Sequence, residues 1–138
     1  MLHLGRGTVV SSFTKIKVTD GTLRTGKKCG FGCGCFVDAG FAGIEIGDHA
    51  IFGPNVSIVA VNYRYQSLEV PLEEQGFTSI GIRIGRNVWV GANSVILDGT
   101  VIGDNCIVVA GSVTNRRFPS NCIIQGNPAK VVLRRAAS

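Results

Sequence analysis

The stretch Ile84-Gly85-Arg86-Asn87-Val88-Trp89-Val90-Gly91-Ala92-Asn93-Ser94-Val95-Ile96 decides how this chain folds. Its apolar residues Ile84, Val90 and Ile96 stand six apart, and a glycine follows each of the first two. The beat continues at Ile102 and Val108, and it runs earlier through Ile46, Phe52 and Ile58. A first run of Thr25, Phe31 and Val37 keeps the interval but opens on a polar residue. Four places beyond the key residues the side chain is usually small, as at Cys29, Cys35, Ala50, Val56, Ser94, Thr100, Cys106 and Ser112. Alternate side chains of a strand share a face, so a key residue and the small one after it both point inward. Gly26, Gly32, Gly47, Gly53, Gly85, Gly91 and Gly103 directly follow key residues. They are expected to take positive φ at the corners between short strands. Asp48, Pro54 and Asp104 come next, where turn residues belong. Short strands with regular corners predict a solenoid, because no coil buries its face alone and stacking completes the core. No useful length of chain shows the 3.6-residue period of an amphipathic helix.

Composition agrees with one apolar, tightly cornered domain. The 138 residues are 45% hydrophobic and 17% charged, which excludes a disordered chain. Nineteen glycines are about twice the usual share yet far from collagen's one-third. A net charge of +5 reads either as a mildly basic surface or as the mark of an anionic partner. Aromatics are only 7% and do not interleave with a Lys/Arg run, so nucleic acid is a poor fit and a phosphate-bearing cosubstrate a better one. No apolar stretch approaches the roughly 20 residues of a membrane span. Residues 1–6 lack a signal-peptide core, and five cysteines are an odd number, so reduced thiols in the cytoplasm are expected.

Several segments resemble a known family. The coil motifs are Ile46-Gly47-Asp48-His49-Ala50-Ile51-Phe52-Gly53-Pro54-Asn55-Val56, Ile84 to Ala92, and Ile102-Gly103-Asp104-Asn105. With Ala110-Gly111-Ser112-Val113-Thr114 and Gly126-Asn127-Pro128-Ala129-Lys130, they are similar to the hexapeptide-repeat acyltransferases. The nearest branch is that of the maltose, galactoside and capsular-sugar O-acetyltransferases, and the resemblance covers roughly residues 25–133. It implies an all-β fold, a single-domain left-handed parallel β-helix with three hexapeptides per triangular coil and one extended loop. It also implies a homotrimer with acyl-CoA sites in clefts between subunits. On this reading 1–138 is one domain, with 1–24 as an amino-terminal cap, 64–83 as an excursion loop, and 114–138 as a carboxy-terminal coil and tail.

The excursion interrupts the beat between Ile58 and Ile84 and carries Tyr65, Glu69, Pro71, Glu73, Glu74, Gln75 and Phe77. Loops beyond 12–15 residues are uncommon in compact domains and often functional. It reads either as a solvated hairpin or packing arm, or, by the resemblance, as a loop overhanging a neighbour's acceptor pocket. A smaller slip at 39–45 reads as a bulge at one corner. Its loop Gly40-Phe41-Ala42-Gly43 is a candidate lining of the acceptor side.

In the resembling enzymes an Asn-His or Thr-His pair precedes the loop, and the histidine is the general base on the acceptor. An imidazole with a pKa near 6.5 suits that task. Here the pair is Asn62-Tyr63. An ordinary tyrosine, titrating near 10, is only about 0.1% ionised at neutral pH. Three readings stay open: Tyr63 positions an acceptor amine that is already nucleophilic, the site has decayed to a binding scaffold, or the correspondence at the loop is one residue off. The loop holds no histidine to supply the third. His49 falls at a corner and is expected to face outward, and His3 lies outside the recognisable repeat. Two histidines cannot match the three-histidine zinc set of the carbonic anhydrases built on the same helix. Cys29, Cys33 and Cys35 have thiolate-ligand chemistry. Yet Cys29 and Cys35 fall at inward slots on different sides of the triangle, so no metal is expected.

For the donor, acetyl-CoA, the resemblance maps the pantetheine arm onto Ala92, Ala110 and Gly111, and an aromatic flanking the thiol end onto Trp89. Trp89 reads equally as a wedge between subunits. Arg116, within Asn115-Arg116-Arg117, and Lys130 are candidate phosphate partners, with Arg134 and Arg135 nearby; guanidinium groups bind phosphate in paired hydrogen bonds. Arg24, Lys27 and Lys28 form a second basic patch. The predicted function is acyl transfer from acetyl-CoA to a hydroxyl or amine of a small sugar-like acceptor, with Asn62 and Tyr63 on the acceptor side. A trimeric binding scaffold is the alternative.

Overall fold

The computed structural model describes residues 1–137. The chain winds through short strands that repeat in sets of three. The first coil holds β1 (Leu2–His3), β2 (Val9–Val10) and β3 (Lys15–Lys17). The second holds β4 (Leu23–Thr25), β5 (Gly30–Phe31) and β6 (Phe36–Asp38), and the third β7 (Ile44–Ile46), β8 (Ile51–Phe52) and β9 (Ser57–Val59). After β9 the chain leaves the helix in an antiparallel pair, β10 (Asn62–Tyr63) with β11 (Phe77–Thr78). It rejoins through β12 (Ile82–Ile84), β13 (Trp89–Val90) and β14 (Val95–Leu97), then β15 (Val101–Ile102), β16 (Ile107–Val108) and β17 (Val113–Thr114). The last elements are β18 (Arg117–Phe118), β19 (Cys122–Gly126) and β20 (Ala129–Arg134).

Corresponding strands stack in parallel into three walls. Sheet A runs β1-β4-β7-β12-β15-β18, sheet B runs β2-β5-β8-β13-β16-β19-β20, and sheet C runs β3-β6-β9-β14-β17. Register is set by burial. The inward columns Thr25-Ile46-Ile84-Ile102-Phe118 of sheet A, Phe31-Phe52-Val90-Val108-Ile124 of sheet B and Val37-Ile58-Ile96-Thr114 of sheet C are all buried. Phe31 and Phe52 stack at 4.9 Å between centroids and 7° between planes. The small residues expected inward are buried as well, and the polar ones find carbonyl partners. Ser112 Oγ donates to Val109 O at 2.6 Å and Thr100 Oγ1 to Thr114 O at 3.0 Å.

Three expectations need correcting. The glycines after key residues do not take positive φ; that conformation falls two places later, at Lys28, Gly34, His49, Asn55, Asn87, Asn93 and Asn105. What requires glycine is the close approach of the next coil. A Cβ on Gly91 would lie 2.5 Å from Ala110 N, on Gly47 2.6 Å from Arg86 N, and on Gly53 2.8 Å from Ala92 N. Second, residues 1–24 are not a separate cap: β1, β2 and β3 continue all three sheets by one coil. Third, the excursion spans 62–81, since Ile82 and Arg83 already pair with Ile44 and Glu45. The slip at 39–45 is the expected bulge, closed by Gly43 N–H donating to Ala39 O at 2.9 Å. At the carboxyl end β20 folds back antiparallel on β19, covering the open edge of sheet B.

Candidate active site

The triangle has three edges, and each candidate residue belongs to one. Along the edge between sheets B and C, Cys33, Pro54, Ala92 and Ala110 stack one per coil. The tie is a series of backbone bonds: Asn55 N to Cys33 O, Asn93 N to Pro54 O and Gly111 N to Ala92 O, at 2.9, 3.0 and 2.9 Å. Ala110 and Gly111 are exposed, and a Cβ on Gly111 would meet nothing within 4 Å. This edge is a smooth strip of small residues, with room for a long, flexible ligand arm.

Trp89 stands on the outer face of sheet B, with Ile51 and Ile107 as its neighbours in register. It is 52% exposed. Beside it lies a pocket of about 190 Å³ lined by His49, Asn87, Cys106 and Arg135. Arg135 reaches there by hydrogen bonds across the edge between sheets A and B, its N–H to Asn121 O and its Nη1 to Asn105 O, both 2.7 Å. His49 is exposed at φ 60°, an outward corner residue as expected.

Asn62 and Tyr63 lie at the third edge, between sheets C and A, where the excursion departs. Tyr63 is half exposed and its ring meets Phe77 at 4.9 Å, tilted 33°. The arm is braced internally by Gln75, whose Nε2 donates to Ser67 O (2.9 Å) and Val70 O (2.7 Å) and whose Oε1 accepts Ser67 N–H (3.1 Å). Its root is held by two residues that sequence reasoning missed. Ser79 Oγ donates to Ala60 O and accepts Ala42 N–H at 2.9 Å. The buried Asp98 carboxylate accepts Ile80 N–H at 2.8 Å and Gly81 N–H at 2.8 Å. The strand alternation contained the signal for Asp98. It sits two places after inward Ile96, so its carboxylate must point inward and find donors.

Within one chain these sets stay apart. Arg116 is exposed at the edge between sheets C and A, on the same edge as Asn62, whereas Lys130 is exposed on β20 of sheet B. One subunit therefore does not gather Arg116 and Lys130 into a single cluster, nor Tyr63 with Trp89 and Ala92. The cysteines are also dispersed. Cys33 is exposed, while Cys29 Sγ donates to Gly47 O at 3.2 Å and Cys35 Sγ to Gly53 O at 3.3 Å. Burial pushes the thiols of Cys29, Cys35 and Cys106 above their ordinary range.

Comparison with known proteins accords with this geometry. A family model described as bacterial transferase hexapeptide (six repeats) matches residues 81–116. A probable acetyltransferase of Mycobacterium tuberculosis is 31% identical over 99% of this chain and 45% of its own length. The galactoside O-acetyltransferase of Escherichia coli is 34% identical over 64% of this chain and 43% of its own. The chain thus spans about half the length of the curated relatives it matches. Among solved structures, an N-acyltransferase from Bacillus cereus in complex with dTDP and coenzyme A superposes with a TM-score of 0.86 at 19% identity, covering 98% of this chain and 74% of that one. A maltose O-acetyltransferase from Clostridium difficile gives 0.71 at 25%, covering 98% and 70%. Residues 81–116 carry the repeats of the bacterial hexapeptide transferase family, and along nearly its whole length the chain is similar to acetyltransferases. Its solenoid is the left-handed parallel β-helix of that family.

Proposed function

We propose that the protein is an acyl-CoA-dependent acyltransferase that moves an acetyl group to a hydroxyl or amine of a sugar-like acceptor, working as a homotrimer. The observation that carries this reading is the open strip Ala92-Ala110-Gly111 beside the exposed Trp89. It suits an extended pantetheine arm, and the relatives are acetyltransferases. When bound, the thioester supplies an activated acyl carbon. The chain's own residues do the rest: the strip lays out the arm, Trp89 packs against its reactive end, Lys130 meets its phosphates, and Arg116, which shares the acceptor edge, meets them from the neighbouring subunit.

Since Tyr63 and Asn62 lie on a different edge from the strip, the complete site takes the acceptor side from one subunit and the donor side from its neighbour. The outward column Val9, Gly30, Ile51, Trp89, Ile107 and Ile123 makes the outer face of sheet B apolar, which favours association. Tyr63 then orients the acceptor through its hydroxyl, and the reaction relies on juxtaposition more than on proton removal. Five free thiols fit the cytoplasmic setting expected from the cysteine count.

The half-exposed Tyr63 also favours a second reading, a trimeric scaffold that binds the donor and turns over poorly. The test is a Tyr63→His variant assayed against sugar and amino-sugar acceptors beside the parent. A rise in kcat/KM of about 10²-fold or more, the typical worth of a general base, supports the transferase reading. Unchanged, undetectable turnover in both proteins supports the scaffold.

A further inference from the structure

Strand register brings His3, Arg24, Glu45, Arg83, Val101 and Arg117 into one outward column across all six strands of sheet A. Arg24, Arg83 and Arg117 are exposed and occupy every second strand. At the usual strand spacing their Cα atoms stand roughly 9–10 Å apart, and the outer two roughly 19 Å. Glu45 is the only carboxylate in the column. Its contact with Arg83, at 3.7 Å between two exposed side chains, is a weak pair. Among the described residues Arg24 and Arg117 have no carboxylate partner.

Shallow grooves flank the column on both sides. One, of about 590 Å³, runs past Ala42, Gly43, Ile80 and Gly81 at the root of the excursion. The other, of about 460 Å³, is floored by Gly26, Gly47, Gly85 and Gly103. Besides Glu45, the groove linings hold one carboxylate, Asp104, which accepts Arg86 N–H at 2.9 Å; outside the linings, Asp48 accepts Lys27 N–H at 2.9 Å and Asp98 holds the excursion. Nothing in the acyl-transfer reading uses this face.

We propose that the outer face of sheet A binds an acidic oligosaccharide, a chain with a carboxylate or phosphate on about every second sugar, lying along the helix axis. Guanidinium groups at a fixed spacing suit anions repeated along a chain, each held by paired hydrogen bonds. The glycine-floored grooves leave room for sugar rings on either side. The column has no Phe, Tyr or Trp on which a base would stack, and its one imidazole, His3, stands at the end, which sets nucleic acid aside. The larger groove opens at the acceptor edge, so a chain seated there leads toward Tyr63. That last link rests on the transferase reading, whereas the binding itself does not.

The experiment is calorimetry at low salt with hyaluronate oligosaccharides of eight to ten sugars, against uncharged maltodextrin and oligothymidylate of similar length. Hyaluronate is expected to bind with an affinity that falls as salt rises, and maltodextrin not to bind. Arg24→Ala and Arg117→Ala should each weaken binding roughly 5-fold or more, and the Lys variants less, since an ammonium keeps charge but not the fork. Glu45→Gln should tighten it about 2-fold or more by removing the opposing charge. Circular dichroism and acetyl-CoA affinity should not change in any of these variants. Absence of hyaluronate binding, equal binding by parent and Arg24→Ala/Arg117→Ala, or tighter binding of oligothymidylate through the same arginines overturns the proposal. Parent protein that binds hyaluronate but not acetyl-CoA overturns the transferase reading and leaves this one standing.

Discussion

Gly91 and Gly30 both lie on the wall of the helix, yet only one has room for a methyl group. A Cβ on Gly91 would press on the Ala110 backbone at 2.5 Å, whereas on Gly30 the nearest atom is Ile51 Cγ2 at 3.7 Å. Gly91→Ala should therefore cost about 1–3 kcal/mol in urea unfolding, the usual penalty of overpacking. Gly30→Ala should be neutral or slightly stabilising. The positions of the corner glycines were legible in the sequence, but their reason was not. A linear chain shows which residue follows a key position, and it does not show that the next coil passes against it. The thiols add a second expectation. Because burial raises the Cys29, Cys35 and Cys106 pKa values in the folded chain, both states keep these protons below about pH 9. Above it the unfolded chain releases them first, so stability falls by up to about 1.4 kcal/mol per pH unit for each thiol. Denaturation series from pH 7 to 10.5 would read that slope, and alkylation at neutral pH should label the exposed Cys33 alone.

The excursion is an element held at its root more than along its length. Exposed Tyr65, Leu68 and Leu72 give the arm no core of its own, and Gln75 only folds it onto itself. The root is different, because Asp98 satisfies the Ile80 and Gly81 amides and Ser79 ties Ala60 to Ala42. Asp98→Ala leaves those donors without their acceptor, which costs about 1–3 kcal/mol for each group that stays buried. We expect faster hydrogen exchange at Ile80 and Gly81 and faster proteolysis within residues 62–81, with the coils unaffected. Cleavage at the parent rate would show that Asp98 does not hold the arm. The break in the beat announced this excursion to within two residues at either end. The anchor was less visible, because its partners are backbone amides on another coil, and backbone donors leave no trace in a residue list.

Considered as a whole, the prism presents three unlike walls. Sheet B is apolar outside, sheet A carries an arginine column, and sheet C carries Phe36, Val59, Val95, Leu97 and Val113 only half buried. A chain with this much unpartnered apolar wall is expected to associate, and light scattering should give three times the monomer mass. The stacking itself was legible from the six-residue beat, whose key residues fill the inward columns. The assembly of the site was not, since Tyr63 and the Ala92-Ala110 strip sit on different edges of one chain, and the proposed function needs two copies to bring them together. Acetyl-CoA binding, measured by calorimetry on protein of known oligomeric state, tests that account most directly. Micromolar affinity with one site per chain, weakened about 10-fold or more by Trp89→Ala, is the expected result. A confirmed trimer that binds no acetyl-CoA would contradict it, because the cleft would then exist without its donor.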